Sequence, residues 1–190
     1  MSIIILNKKE LQDWDKLRND YAHLCQNQKH QEKKDQFLLS RQALKICLES
    51  FQITMELPQL ELLHHSVLKN NDRFVCSLSH TKDNAAAMVE EARNFLSVGI
   101  DIERSERKIN PAIILKIKNI SDEWDDLFLW TAKEAAYKCL SNYLKKEISH
   151  PFSQIIVTKN TWKSIPYDKE GSLEVSTHGE VIVAQARLKA

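Results

Sequence analysis

The chain has 190 residues, carries 27 Lys plus Arg against 26 Asp plus Glu for a net charge of +1, and contains only 3 glycines. With Gly99, Gly171 and Gly179 as the whole supply, a G-x-G-x-x-G dinucleotide loop, a Walker P-loop and a Gly/Ser linker are excluded, so side chains or a metal must hold any phosphate. The balanced charge argues against a dedicated nucleic-acid or membrane-surface binder, 43% apolar content supports a packed core, and no apolar run approaches the ~20 residues of a membrane span.

Ile3-Ile4-Ile5-Leu6 reads as a short buried strand, too brief for a signal-peptide core. Leu11, Trp14, Leu17, Tyr21 and Leu24 then recur at helical spacing and predict one amphipathic helix. A second spans Glu32 to Phe51, and Pro58 predicts a short third ending near His64. Phe74–Leu78 and Ala85–Val89 predict a hairpin, although the alanine run also suits a helix.

Leu96 to Glu103 alternates, placing Val98, Ile100 and Ile102 on one face and Gly99, Asp101 and Glu103 on the other, as in a half-buried strand. Asn110-Pro111 is an N-cap and N1 pair for a helix carrying Ile113, Ile114 and Ile117. Ser121-Asp122-Glu123 opens another, and a long helix runs from about Leu127 to Leu144. Gln154–Thr158 predicts a strand, and Ser172–Ser176 and Val181–Leu188 a hairpin turning near His178-Gly179. Clustered rather than interleaved strands predict an α+β fold, with a change of pattern near residue 95. Cys25, Cys47, Cys76 and Cys139 have neither zinc-module nor disulfide-framework spacing and suit buried thiols in a reducing, cytoplasmic setting.

Asp101 and Glu103 point the same way from one strand and can share a hard cation, with Gly99 expected to leave room above them for metal and polyphosphate. Two ordinary acids on a solvated face would look the same. Glu134 and Lys138 lie one turn apart on a helix, a spacing that also suits a surface ion pair, and Thr131-x-x-Glu134 fits a capping box. Trp130 reads as core, and His80, after a strand, can donate to a phosphate oxygen.

Taken in order, Ser77-Leu78-Ser79-His80, Gly99-Ile100-Asp101-Ile102-Glu103 and Trp130-Thr131-Ala132-Lys133-Glu134-Ala135-Ala136-Tyr137-Lys138 resemble the signature of the 4'-phosphopantetheinyl transferase superfamily. The length resembles its two-domain, surfactin-synthetase-activating type, and Phe37–Ala43 is similar to a more degenerate family segment. No counterpart stands here for the family's proline-containing segment before Ser77, and Leu140-Ser141-Asn142-Tyr143 replaces its Gly-x-Gly-Leu.

The resemblance implies a pseudodimer of two similar α+β subdomains, 1–95 and 96–190, with the site in the cleft between them. It implies a monomeric holo-[acyl carrier protein] synthase type of enzyme that moves phosphopantetheine from coenzyme A to a serine of an acyl or peptidyl carrier protein. Asp101, Glu103 and Glu134 would bind Mg²⁺, with Mn²⁺ as an alternative, and Glu134 and Lys138 would be catalytic. Ser79, His80, Lys133 and Lys138 would contact coenzyme A, and Lys33, Lys34 and Arg41 are candidates for its 3'-phosphate, although a solvated basic helix face would look the same. The alternatives are a metal-dependent phosphodiesterase or nuclease, and a non-catalytic relative that binds carrier or coenzyme A.

Overall fold

A computed structural model describes residues 2–63, 67–69, 71–119, 124–149 and 152–190. The strands are β1 Ser2–Asn7, β2 Leu62–Leu63, β3 Val67–Leu68, β4 Asn71–His80, β5 Asn84–Glu91, β6 Phe95–Arg104, β7 Ile155–Val157, β8 Thr161–Ser164, β9 Lys169–His178 and β10 Val181–Lys189. The α-helices among the described residues are α1 Trp14–Asp20, α2 Gln31–Glu49, α3 Pro111–Ile117 and α4 Asp126–Leu144. The fold is α+β, with two five-stranded sheets of order β1-β5-β4-β3-β2 and β6-β10-β9-β8-β7. All their pairings are antiparallel, and the second order repeats the first with each strand number raised by five.

Each sheet carries one 19-residue helix. Ala43, Leu44 and Cys47 of α2 pack on Phe74, Cys76, Ala87 and Val89. Ala132, Ala136 and Cys139 of α4 pack on Trp162, Leu173, Ala184 and Ala186. Between the sheets, Ala86 and Met88 meet Val98, Ile100, Ile102 and Val183. The alanine run is therefore a strand: β5 is covered on both faces, and small side chains let α2 and β6 approach it together.

Several expectations need correction. The single helix expected over Leu11 to Leu24 is instead the short α1 followed by a 3₁₀ turn at Ala22–Cys25, with another 3₁₀ turn, Lys8–Glu10, ahead of it. Asn19 and Asp20, which favour turns over helix interiors, end α1 before Tyr21, and the apolar residues still converge on Leu38 and Leu39. The helix at Pro58 is one 3₁₀ turn, Leu57–Gln59, closed by a capping box between Glu56 and Gln59; its expected end at His64 lies outside the described residues, as does the start at Ser121–Glu123. Asn110 does cap α3, its side chain accepting from the Ala112 N–H.

β6 is buried on both faces rather than one. Thr131 caps nothing, because it lies inside α4 and its hydroxyl donates to the Leu127 carbonyl at 2.7 Å. β8, too short for a periodic signal, holds the fully buried Trp162. Gly171 sits in β9 beneath that indole: a Cβ there would lie 2.0 Å from the Arg187 carbonyl oxygen and 2.5 Å from Trp162 Nε1. Gly179 does take the turn, with φ +57°.

Candidate functional site

β6 is an edge strand of its sheet, and side chains satisfy its outer edge. The N–H of Ile100 donates to Ser77 Oγ at 3.1 Å and that of Ile102 to Ser79 Oγ at 3.3 Å. The carbonyls of Val98 and Ile100 accept from Asn142 Nδ2 at 3.0 Å and Lys138 Nζ at 3.2 Å. Two serines spaced two apart on β4 thus match two amides spaced two apart on β6, the strand period. This stitching joins the two sheets where the acids sit.

Gly99, Asp101 and Glu103 all face α4. A Cβ on Gly99 would lie 2.0 Å from the Ala135 carbonyl oxygen and 2.5 Å from the Cys139 nitrogen. The expected room for a ligand above Gly99 is therefore filled by helix backbone. What the missing side chain permits is close seating of α4, which brings Glu134 and Lys138 down to the strand acids.

Asp101, 5% exposed, accepts on Oδ1 from Lys138 Nζ at 2.7 Å and from the Ser79 hydroxyl at 2.8 Å. Ser79 Oγ also accepts from Lys138 Nζ at 3.1 Å. Its hydroxyl is committed to orienting Asp101 and Lys138 and to the Ile102 amide, which places it behind the acids rather than toward a ligand as expected. Lys138 places its ammonium on Asp101, Ser79 and the Ile100 carbonyl.

Glu103 accepts on Oε1 from Trp130 Nε1 at 3.1 Å and is ion-paired with Arg107. Glu134 is pushed up to about 7 by burial and by the negative charge of Asp101, against the pull of Lys138. His80, at the end of β4, is held below the ordinary imidazole range by desolvation and by the ammoniums of Lys33 and Lys138, which leaves it neutral at pH 7 with one donor and one acceptor nitrogen.

Two cavities meet at His80. One, of about 510 Å³, lies between α2 and α4 and is lined by Lys33, Phe37, Arg41, Tyr137, Lys138 and Asn142 among others. The other, of about 420 Å³, is lined by Asp101 and Glu103 together with Lys82, Arg104 and Arg107. The guanidinium of Arg41 stacks 4.8 Å over Phe37. Lys34 lies on another side of α2, where its charge acts on buried Cys25, and it lines neither cavity.

Lys133 departs furthest from expectation. It is fully buried, and its ammonium donates to the carbonyls of Ile117 at 2.6 Å, Ile155 at 2.6 Å and Phe152 at 3.1 Å. Adjacent helical positions point about 100° apart, so a chain that turns Glu134 to the strand acids sends Lys133 into the packing beside α3 and β7.

Among the described residues no three His, Cys, Asp or Glu side chains are drawn together as a ready metal cage. The donor chemistry nevertheless suits a hard cation: Asp101 Oδ2 is buried with no hydrogen-bond partner, and the crowded carboxylates of Asp101, Glu103 and Glu134 raise the proton affinity of the last. Sequence reasoning missed Arg107 and the donor role of Trp130. Trp130 was within reach, four residues before Glu134 on the same helical face; Arg107 lies beyond the end of β6, where no periodicity speaks.

No curated protein matches the chain. The sequence model of the 4'-phosphopantetheinyl transferase superfamily matches residues 97–186, which hold the β6 acids, all of α4 and most of β10. Residues 97–186 therefore match a domain of the 4'-phosphopantetheinyl transferase superfamily, within a chain whose fold is α+β.

Proposed function

We propose that the chain transfers 4'-phosphopantetheine from coenzyme A to the hydroxyl of a serine on an acyl or peptidyl carrier protein, releasing 3',5'-ADP. The observation that carries this reading is the convergence of Asp101, Glu103, Glu134 and Lys138 beside His80, where a cationic cavity of about 510 Å³ opens toward Lys33 and Arg41. Residues 1–95 and 96–190 would act as two subdomains of one monomer, the first supplying Ser77, His80 and the α2 cations and the second the acids. Four buried free cysteines suit a cytoplasmic protein.

Asp101, Glu103 and Glu134 would hold Mg²⁺, which when bound would offset the charge of the pyrophosphate. Glu134, with a proton affinity matched to neutral pH, would take the serine proton as its oxygen attacks the phosphorus bearing the pantetheine arm. The bond from that phosphorus to the 3',5'-ADP oxygen breaks, and Lys138 would meet the charge left on that oxygen by turning one donor from Asp101 or Ser79 toward it. His80 would donate to a phosphate oxygen, and Lys33 and Arg41 would meet the 3'-phosphate.

The test is mass gain of apo-carrier proteins incubated with coenzyme A and Mg²⁺. Phosphopantetheine addition by the parent chain, lost in Asp101→Ala and Glu134→Ala, is expected. Full activity in either variant overturns the assignment.

A further inference from the structure

Lys133 belongs to the stretch that carries the catalytic candidates, yet it reaches neither cavity. Its ammonium donates to carbonyls of three separate segments: Ile117 at the end of α3, Phe152 in a 3₁₀ turn, and Ile155 at the start of β7. One ammonium on the middle of α4 thereby holds both chain segments that flank that helix.

Of these, Phe152 touches the site's neighbours. Its ring stacks on Trp130 with centroids 5.4 Å apart and planes 18° apart, and it lies 5.6 Å from the ring of Tyr137. Trp130 also meets the Arg107 guanidinium, 5.5 Å from the ring centroid, and its indole N–H donates to Glu103 Oε1. A continuous path of packed groups thus runs from the Lys133 ammonium through the Phe152 backbone and ring to the indole that fixes a Glu103 oxygen.

We propose that Lys133 is a positioning residue that sets the orientation of the Glu103 carboxylate through Phe152 and Trp130. This rests on the reading of Glu103 as a metal ligand only for its effect on metal affinity; the geometric claim stands apart from it. Partners of this outer kind, which orient a ligand without touching the ion, typically change metal affinity by about 10- to 100-fold. A compact ammonium suits a buried space where several carbonyls converge, and a fork-shaped guanidinium does not match that arrangement.

The test uses the full chain with ¹⁵N-labelled indoles, of which there are four, and Trp130→Phe assigns the signal of interest. Phe152→Leu breaks the stacking while leaving the backbone carbonyl for Lys133, and Lys133→Met removes the clamp. Both are expected to move the Trp130 indole signal, and to raise the Mn²⁺ concentration for half-saturation by about tenfold with the KM for coenzyme A unchanged. Adding Trp130→Phe to Lys133→Met should raise it no further. If Lys133→Met does not fold, Lys133→Gln, which keeps a donor in the same space, takes its place. A Trp130 signal left in place by Phe152→Leu, or fully additive effects on half-saturation, overturns the proposal. A parent signal indifferent to metal, but moved by Phe152→Leu, overturns the metal reading and leaves the positioning role standing.

Discussion

The two sheets share one strand order and one helix length, yet their helix-facing chemistry is opposite. On β1 the side chains packed toward α2 include Ile4 and Leu6, an aliphatic seal, whereas β6 offers α4 Gly99, Asp101 and Glu103. The cationic helix positions reverse this: α2 turns Lys33 and Arg41 into the cavity, while α4 brings the acid Glu134 and spends Lys138 on Asp101. The same scaffold thus makes a cationic cavity wall on one side and an acid cluster on the other. The site exists because β4 and β6 are stitched together where those two chemistries meet.

The sharpest way to break this comparison is to remove charge from one side and volume from the other. Asp101→Asn and Glu134→Gln should each lower carrier modification by at least about 10³-fold, from lost acid–base and electrostatic contributions. Ile4→Val, at a helix-facing position of the first sheet, should cost about 1 kcal/mol of stability and leave transfer within about twofold of the parent. Equal losses of transfer from both halves, measured by carrier mass gain at matched folded fractions, would show that the asymmetry is not what makes the site.

Close seating of α4 is the next target. Gly99→Val puts methyl groups where the Ala135 carbonyl and Cys139 nitrogen already lie, and neither backbone group can swing aside. It should destabilise by more than about 3 kcal/mol in denaturant unfolding, beyond ordinary overpacking. A folded Gly99→Val with normal stability and impaired coenzyme A binding would instead restore the idea of open space above the strand.

Gly99 shows how far the sequence could be read. Alternation correctly put Gly99, Asp101 and Glu103 on one face, because a period of two is local. It could not say what covers that face, since α4 arrives from about 35 residues away, and tertiary packing alone decides whether a missing Cβ makes room for ligand or for helix. The place of Lys133 is illegible in the sequence for the same reason: its partners Ile117, Phe152 and Ile155 come from separate segments. The hairpins and long helices were legible because their signals are periodic, whereas β8 and the broken N-terminal helix depend on Trp162 and Tyr21 finding partners elsewhere.

The buried acid side also carries a stability signature of its own. Glu134 titrates near 7 in the folded chain because of burial and Asp101, and near ~4.3 when unfolded. The folded state therefore keeps a proton that the unfolded chain has released, and this contribution, complete below ~4.3, is lost as pH rises through about 7. In metal-free buffer Glu134→Gln should match the parent near pH 4 and exceed its stability at pH 8 by on the order of 1–3 kcal/mol, while being inactive. Parallel stability curves against pH would refute the assigned cause.

The smallest effect tests the cationic side by direction alone. Lys33 and Lys34 are adjacent on α2 and equal in charge, so any long-range field they produce at the cleft is nearly the same. Only Lys33 lines the cavity shared with His80 and Arg41, while Lys34 lies toward Cys25. A direct charge-assisted contact is worth roughly 1.5–3 kcal/mol, and part of that is returned as water and Arg41 take over, so Lys33→Ala should raise the KM for coenzyme A by about tenfold. Lys34→Ala removes the same charge without a contact, should stay within about 0.5 kcal/mol, and should leave that constant within twofold. If the two variants weaken coenzyme A equally, α2 acts as a diffuse field rather than as a grip, and the division of labour between the halves is electrostatic only.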